Sequence, residues 1–172
     1  MSGFVSTPPA PVSPEGSTVG ADGWFPDVDV NSVRTAIRIG EGVCTHERLV
    51  AAIEGAMLTA FRLLAGWRAA QVIAGAATLE DVPNIDVATG QNRELNGRNE
   101  TVALWERIIR YFAGAEVYDL HRDISATDQG NIRAEDRVFT ADDLRRLGHN
   151  AISDLASVNV EVKVQRNVVE LL

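Results

Sequence analysis

THERLVAAIEGAMLTAFRLLAGWRAAQVIAG, residues 45–75, is the stretch whose reading decides the fold. Leu49, Ile53, Met57, Ala60, Leu64 and Trp67 recur at steps of three or four. That spacing sets one apolar face along a long helix. Thr45 stands where an N-cap is needed. Gly55 and Gly66 lie inside the pattern, each costing about 1 kcal/mol relative to alanine. They mark either a close helix contact or simple tolerance.

Two further stretches carry the same period. ETVALWERIIRYFAGAEVYDLHRDI, residues 100–124, presents Val102, Trp105, Ile108, Ile109, Phe112, Ala115 and Leu120 as a broad apolar face. The fourth helix is expected to begin near Thr127–Asp128 and to carry Val138, Leu144, Leu147, Ala151, Ile152 and Leu155 inward. Ahead of the long helix, DGWFPDVDVNSVRTAIRIG gives an apolar plug, Trp24 and Phe25, and then a short helix with Val33, Ile37 and Ala36. Asp29 or Asn31 caps it, and Gly40 and Gly42 end it. The fold class is therefore all-α: a small bundle of about four helices, with an extended N-terminal arm and a C-terminal β-strand tail.

The connections differ in character. TLEDVP, residues 78–83, reads as one helical turn stopped by Pro83. GQNRELNGRN, residues 90–99, is polar with two glycines and reads as an exposed loop, long for a compact bundle. Its Arg93 and Arg98 are candidates for partner contact, as are Arg145 and Arg146 beside the last helix's apolar stripe; a plain solvated surface is the alternative. Residues 1–23, rich in Pro, Ser, Thr and Gly, cannot bury enough apolar surface to order themselves and form a flexible arm. Residues 24–157 form the helical domain.

The tail, 158–172, raises a separate question. Val158, Val160, Val162 and Val164 alternate with Asn159, Glu161, Lys163 and Gln165, the period of a half-buried strand. A strand needs a hydrogen-bonding neighbour. Either it adds to a sheet in another chain, with the four valines as the docking strand, or it folds back over its own bundle. Each buried valine is worth about 1.5–3 kcal/mol, enough for four to anchor a partner.

Composition narrows the function. Of the 172 residues, 45% are hydrophobic and 23% charged, ordinary values for a globular protein. No uninterrupted apolar run reaches the 18 residues of a membrane span, so no membrane is expected. MSGFVSTPPAPVSPEGSTVG has neither a basic region nor an apolar core of a secretory signal. The net charge is −8, with fifteen arginines dispersed and one lysine, Lys163, which argues against tight nucleic-acid binding. That arginine excess reflects either carboxylate-pairing interfaces or genome composition. Cys44 has no disulfide partner, and Cys44, His46, His121 and His149 lack zinc-ligand spacing.

A search for catalysis finds no GxSxG, no GxxxxGK[ST] and no HExxH. The acidic pairs Glu135–Asp136 and Asp142–Asp143 sit among arginines at helical spacings, as in a solvated face laced with ion pairs. No catalytic, cofactor-binding or metal-ligating residue is assigned, no cofactor is expected, and the chain is expected not to be an enzyme.

A set of stretches then points to a family. DGWFPDVDVNSVRTAIRI, THERLVAAIEGAM, LLAGWRAAQ, AATLEDVP, YDLHRDISATDQG, RAED and ADDLRRLGHNAISDL, in that order over roughly residues 22–157, resemble the head completion (head stabilisation) proteins of tailed phages with contractile tails. The arm and the tail match less well. The resemblance implies a helical adaptor without catalytic residues. It further implies docking beneath the portal protein of a DNA-filled head, as a ring of copies expected to be twelvefold, with the next neck or tail-completion protein below. The virion neck is then the location and the host cytoplasm the place of synthesis. DNA passes through the lumen without specific binding, and an acidic surface suits such a channel. The alternatives are another virion role in tail completion or on the capsid surface, an enzyme with an unrecognised site, and a helical peptide-binding module.

Overall fold

The computed structural model describes residues 13–37, 44–125 and 140–160, with side chains described as far as Leu120 in the second of these segments. Among the described residues four helices dominate: α1 (Val30–Ile37), α2 (His46–Ile73), α3 (Glu100–Ser125) and α4 (Ala141–Ala156). Two short antiparallel pairs accompany them, so the fold is mostly helical rather than strictly all-α. β1 (Thr18–Val19) pairs with β2 (Val28–Asp29), and β3 (Glu94–Leu95) with β4 (Arg98–Asn99).

α2 forms as its sequence demands. The Thr45 hydroxyl accepts the Arg48 N–H at 3.4 Å. Leu49, Ile53, Met57, Ala60 and Leu64 are buried. The helix closes at Gly75, whose φ of 102° only glycine adopts without strain; Gly75 N–H then reaches Val72 O and Ala76 N–H reaches Gln71 O. By length and composition α2 could cross a bilayer, with a mean hydropathy of 1.6 over its most apolar window. One of its faces lies in the core.

α3 packs against both α2 and α4, so it is the central element. Trp105, Ile108, Ile109 and Ala113 are fully buried. Leu120, expected on the apolar face, is instead 48% exposed. α4 starts at Ala141, not near Thr127. A reciprocal cap fixes this start: the Thr140 hydroxyl accepts Asp143 N–H at 3.2 Å, and the Asp143 carboxylate accepts Thr140 N–H at 3.2 Å. Thr140-Ala-Asp-Asp143 was a capping signature available in the sequence. Val138, Gly40, Gly42 and the pair Glu135–Asp136 lie outside the described residues.

The Trp24–Phe25 plug organises the core. Phe25 stacks on Trp105 at 4.3 Å between ring centroids and on Phe61 at 5.4 Å. Trp24 meets Phe25 and Trp67 edge-on. Each of the three indoles also holds a separate piece of chain: Trp24 Nε1 donates to Ala76 O at 3.2 Å, Trp105 Nε1 to Pro26 O at 3.0 Å and Trp67 Nε1 to Val158 O at 3.0 Å. Buried indoles thus satisfy their one donor while contributing apolar area.

The segment expected to be a free arm joins the fold from Ser13 onward. Ser13 and Val19 are buried. Arg34 donates to Ser13 Oγ and to Cys44 O, Asn31 Nδ2 donates to Pro14 O, and Val30 N–H reaches Ser17 O. Backbone pairing and side-chain bonds, not apolar bulk, recruit this Pro- and Ser-rich stretch. Asp29 is the cap of α1, its carboxylate accepting Ser32 N–H.

Residues 90–99 also differ from expectation. The exposed loop is a β-hairpin, with Glu94 opposite Asn99 and Leu95 opposite Arg98. Its turn is Asn96–Gly97, at φ 54° and 73°. Asn-Gly is the residue pair that tolerates two successive left-handed positions and so favours a two-residue hairpin turn. The single turn at TLEDVP is present as a 3₁₀ segment, Leu79–Asp81. Asn99 ties it to α3 by donating to Glu80 O and Val82 O, while Thr101 donates to Leu79 O.

Candidate docking surfaces

The proposed docking strand begins where α4 ends. Residues 157–159 form a turn, Val158 N–H closes on Leu155 O at 3.0 Å, and Asn159 has a φ of 51°. Val158 is therefore not extended; it is half-buried against the core and held by Trp67. Asn159 Nδ2 donates to Gln71 Oε1 at 2.8 Å, and Gln71 itself is buried. Val160 follows, 41% exposed. Val162 and Val164 lie outside the described residues. The folded unit so extends at least to Asn159, two residues beyond the boundary expected from the sequence.

The four arginines singled out are not gathered in one place, and each is paired within the chain. Arg93 faces Asp86 at 3.3 Å, on the loop before the hairpin. Arg98 on β4 meets Glu106 of α3 at 2.9 Å. Arg145 bridges Asp119 on α3 and Asp142 on its own helix. Arg146 reaches Asp143 at 3.2 Å. All four are substantially exposed, and exposed pairs contribute about 0–1 kcal/mol, so they set register more than stability.

Two concavities flank α3. One is a cleft of about 420 Å³ between α2, α3 and α4, lined by Gly55, Arg62, Glu116, Asp119, Arg145 and His149. Loss of water around the Glu116 carboxyl raises its pKa. A Cβ at Gly55 would stand 2.5 Å from Glu116 Oε2, the end of a flexible side chain that can move aside. A Cβ at Gly66 would meet nothing within 4 Å. His149 is exposed and meets the Phe112 ring edge-on. Burial raises the Cys44 pKa, as for a structural thiol.

The second concavity was not read from the sequence. It is a groove of about 820 Å³ between α1, α3, α4 and the hairpin. Ile37, Leu95, Leu104, Tyr111, Leu144 and Leu147 supply its apolar lining. Arg98, Arg107, Arg110, Glu100 and Glu106 rim it. Only the i, i+3/i+4 positions of α3 on the flank away from Trp105 could have signalled it, and those alternate apolar and charged residues. Among the described residues, no group of three or more His, Cys, Asp or Glu could hold a metal ion.

The surface thus offers apolar and ion-paired faces for binding. The sequence model of the family described as phage head completion protein (GPL) matches residues 19–171. The head completion/stabilization protein of Escherichia phage P2 is 30% identical over 123 residues, which cover 72% of this chain and 68% of that protein. No solved structure matches. The chain belongs to the phage head completion protein family.

Proposed function

We propose that this protein is the structural adaptor that docks beneath the portal of a DNA-filled head as a ring, stabilises the head and presents the platform for the neck and tail. The observation that carries the reading is membership of the head completion family across nearly the whole chain. Head completion requires contact with components already in the head. Three features are suited to that contact: the apolar groove, an exposed apolar side of α2 formed by Leu58, Val72 and Ile73, and paired charges that can exchange partners on assembly. The acidic balance, −8 overall, fits a lumen through which DNA slides without being held.

The tail beyond Val160 is the docking strand in this reading, with Val160, Val162 and Val164 facing the partner sheet. Val158 is its root rather than its first rung, because Trp67 and Gln71 fix residues 158 and 159 to α2. Such a root fixes where the strand departs and lowers the ordering cost of docking.

Deletion of residues 161–172 tests the tail. The truncated chain keeps the helical circular dichroism of the full chain but no longer co-sediments with portal-bearing heads. Co-sedimentation at the full-length level would overturn the docking role.

A further inference from the structure

Two features that the described residues leave uncovered lie on different faces of the molecule. On α2, Leu58, Ala65, Ala69, Val72 and Ile73 recur at helical spacing on the side away from the core; Leu58 is 69% and Ile73 88% exposed. Together they make a ridge that points away from α3. The groove lies across α3 from there. Its residues Ala103, Arg107 and Arg110 leave the flank of α3 opposite Trp105, Ile109 and Glu116, of which Trp105 stacks on Phe61 of α2. An apolar ridge on one face and an apolar groove on the other are complementary to each other and not to themselves.

The charges beside them match as well. Glu54 stands along the ridge and Arg62 at its border with the α2–α3–α4 cleft, and neither has an ion-pair partner among the described residues. In the groove, the Arg107 side chain meets the Tyr111 ring and hydroxyl, and the Glu100 carboxylate meets the Asn84 amide, with no ion-pair partner for either among the described residues. At 1.5 Å per residue, Glu54 and Arg62 are about 12 Å apart along α2, and Arg107 and Glu100 about 10.5 Å apart along α3. Glu54 can therefore face Arg107, and Arg62 face Glu100, in one alignment.

We infer that the α2 ridge of one copy seats in the α1–α3–α4 groove of the next copy, with Glu54–Arg107 and Arg62–Glu100 as cross-copy pairs. The contact is heterologous, so repeated copies run head to tail, and they form a ring when the rotation between copies closes. The inference rests on the ring reading above and names its subunit contact.

Cysteine trapping tests it on the full-length chain, both purified at high concentration and within assembled particles. With L58C and L104C in one chain, oxidation yields a ladder of dimers, trimers and larger species. Either single variant gives no ladder. Separately, E54R and R107E each weaken self-association roughly tenfold, the scale of one lost interfacial charge pair, and the combination restores it. Three results would overturn the inference: dimers alone from L58C, no ladder in either setting, or L58C joined only to a different virion chain. A ladder from a protein absent from particles would keep this contact and defeat the neck reading. Presence in the neck without a ladder would do the reverse.

Discussion

Replacing glycine by alanine at two helical positions should give opposite results. Gly66 faces open space, so a Cβ there meets nothing within 4 Å. Alanine then gains only the helix-propensity difference, about 1 kcal/mol. Gly148 of α4 is buried against Phe112, and a Cβ would sit 2.9–3.0 Å from three ring carbons. The ring is buried beside the α2–α3–α4 cleft, so either it shifts or α3 and α4 move apart. Overpacking of this kind costs about 1–3 kcal/mol. Subtracting the propensity gain of about 1 kcal/mol leaves G148A destabilised by about 0–2 kcal/mol. The two variants should therefore differ by about 1–3 kcal/mol, or several degrees at about 2–4 °C per kcal/mol for a chain of this size. Urea titration followed by circular dichroism measures both, with thermal scans as a check. Equal stabilisation by G148A and G66A would refute the close approach of α3 and α4 at Phe112.

Other substitutions probe the remaining contacts. W67F removes the bond to Val158 O but keeps most of the ring; it should cost about 1 kcal/mol and speed amide exchange in the last turn of α4, read by hydrogen-exchange mass spectrometry. N99A leaves the carbonyls of Glu80 and Val82 without their donor, and should cost about 1–3 kcal/mol in the same urea titration. Asp22 gives a pH test. Burial pushes its carboxyl up, but the N–H groups of Phe25 and Trp24 and the Arg68 guanidinium outweigh that and hold its pKa below the ordinary 3.8. Its contribution to stability is thus present above pH 3.8 and lost as the pH falls through the lower folded-state value. D22A should be less stable than the parent at neutral pH, with the gap narrowing below pH 3.8; a gap constant with pH would show that the charge is not what matters.

The long helices were legible because their burial follows one period. In α2 and α3 the residues at steps of three and four are those that reach the core, and only Leu120 departs from the pattern. The hairpin at 94–99 was not read because its strands are two residues each and exposed, too short to show alternation; the Asn96–Gly97 pair was the available sign. Residues 13–19 were mistaken for a free arm because their apolar content is low. They are held by Arg34, Asn31 and the β1–β2 pairing, which are long-range bonds that periodicity does not encode. The Val158 turn was hidden for the opposite reason. Its valine alternates in phase with the tail that follows, while its actual conformation is set by Trp67 and Gln71, some 90 residues away in sequence. The groove depends on four elements at once, so no one stretch contained it.

The most direct test of the account is the copy number of this chain relative to the portal protein in purified particles, by quantitative mass spectrometry with labelled peptides. A neck ring matched to the portal predicts a ratio near one to one. A ratio far above one, or absence of the chain from the particles, would contradict it.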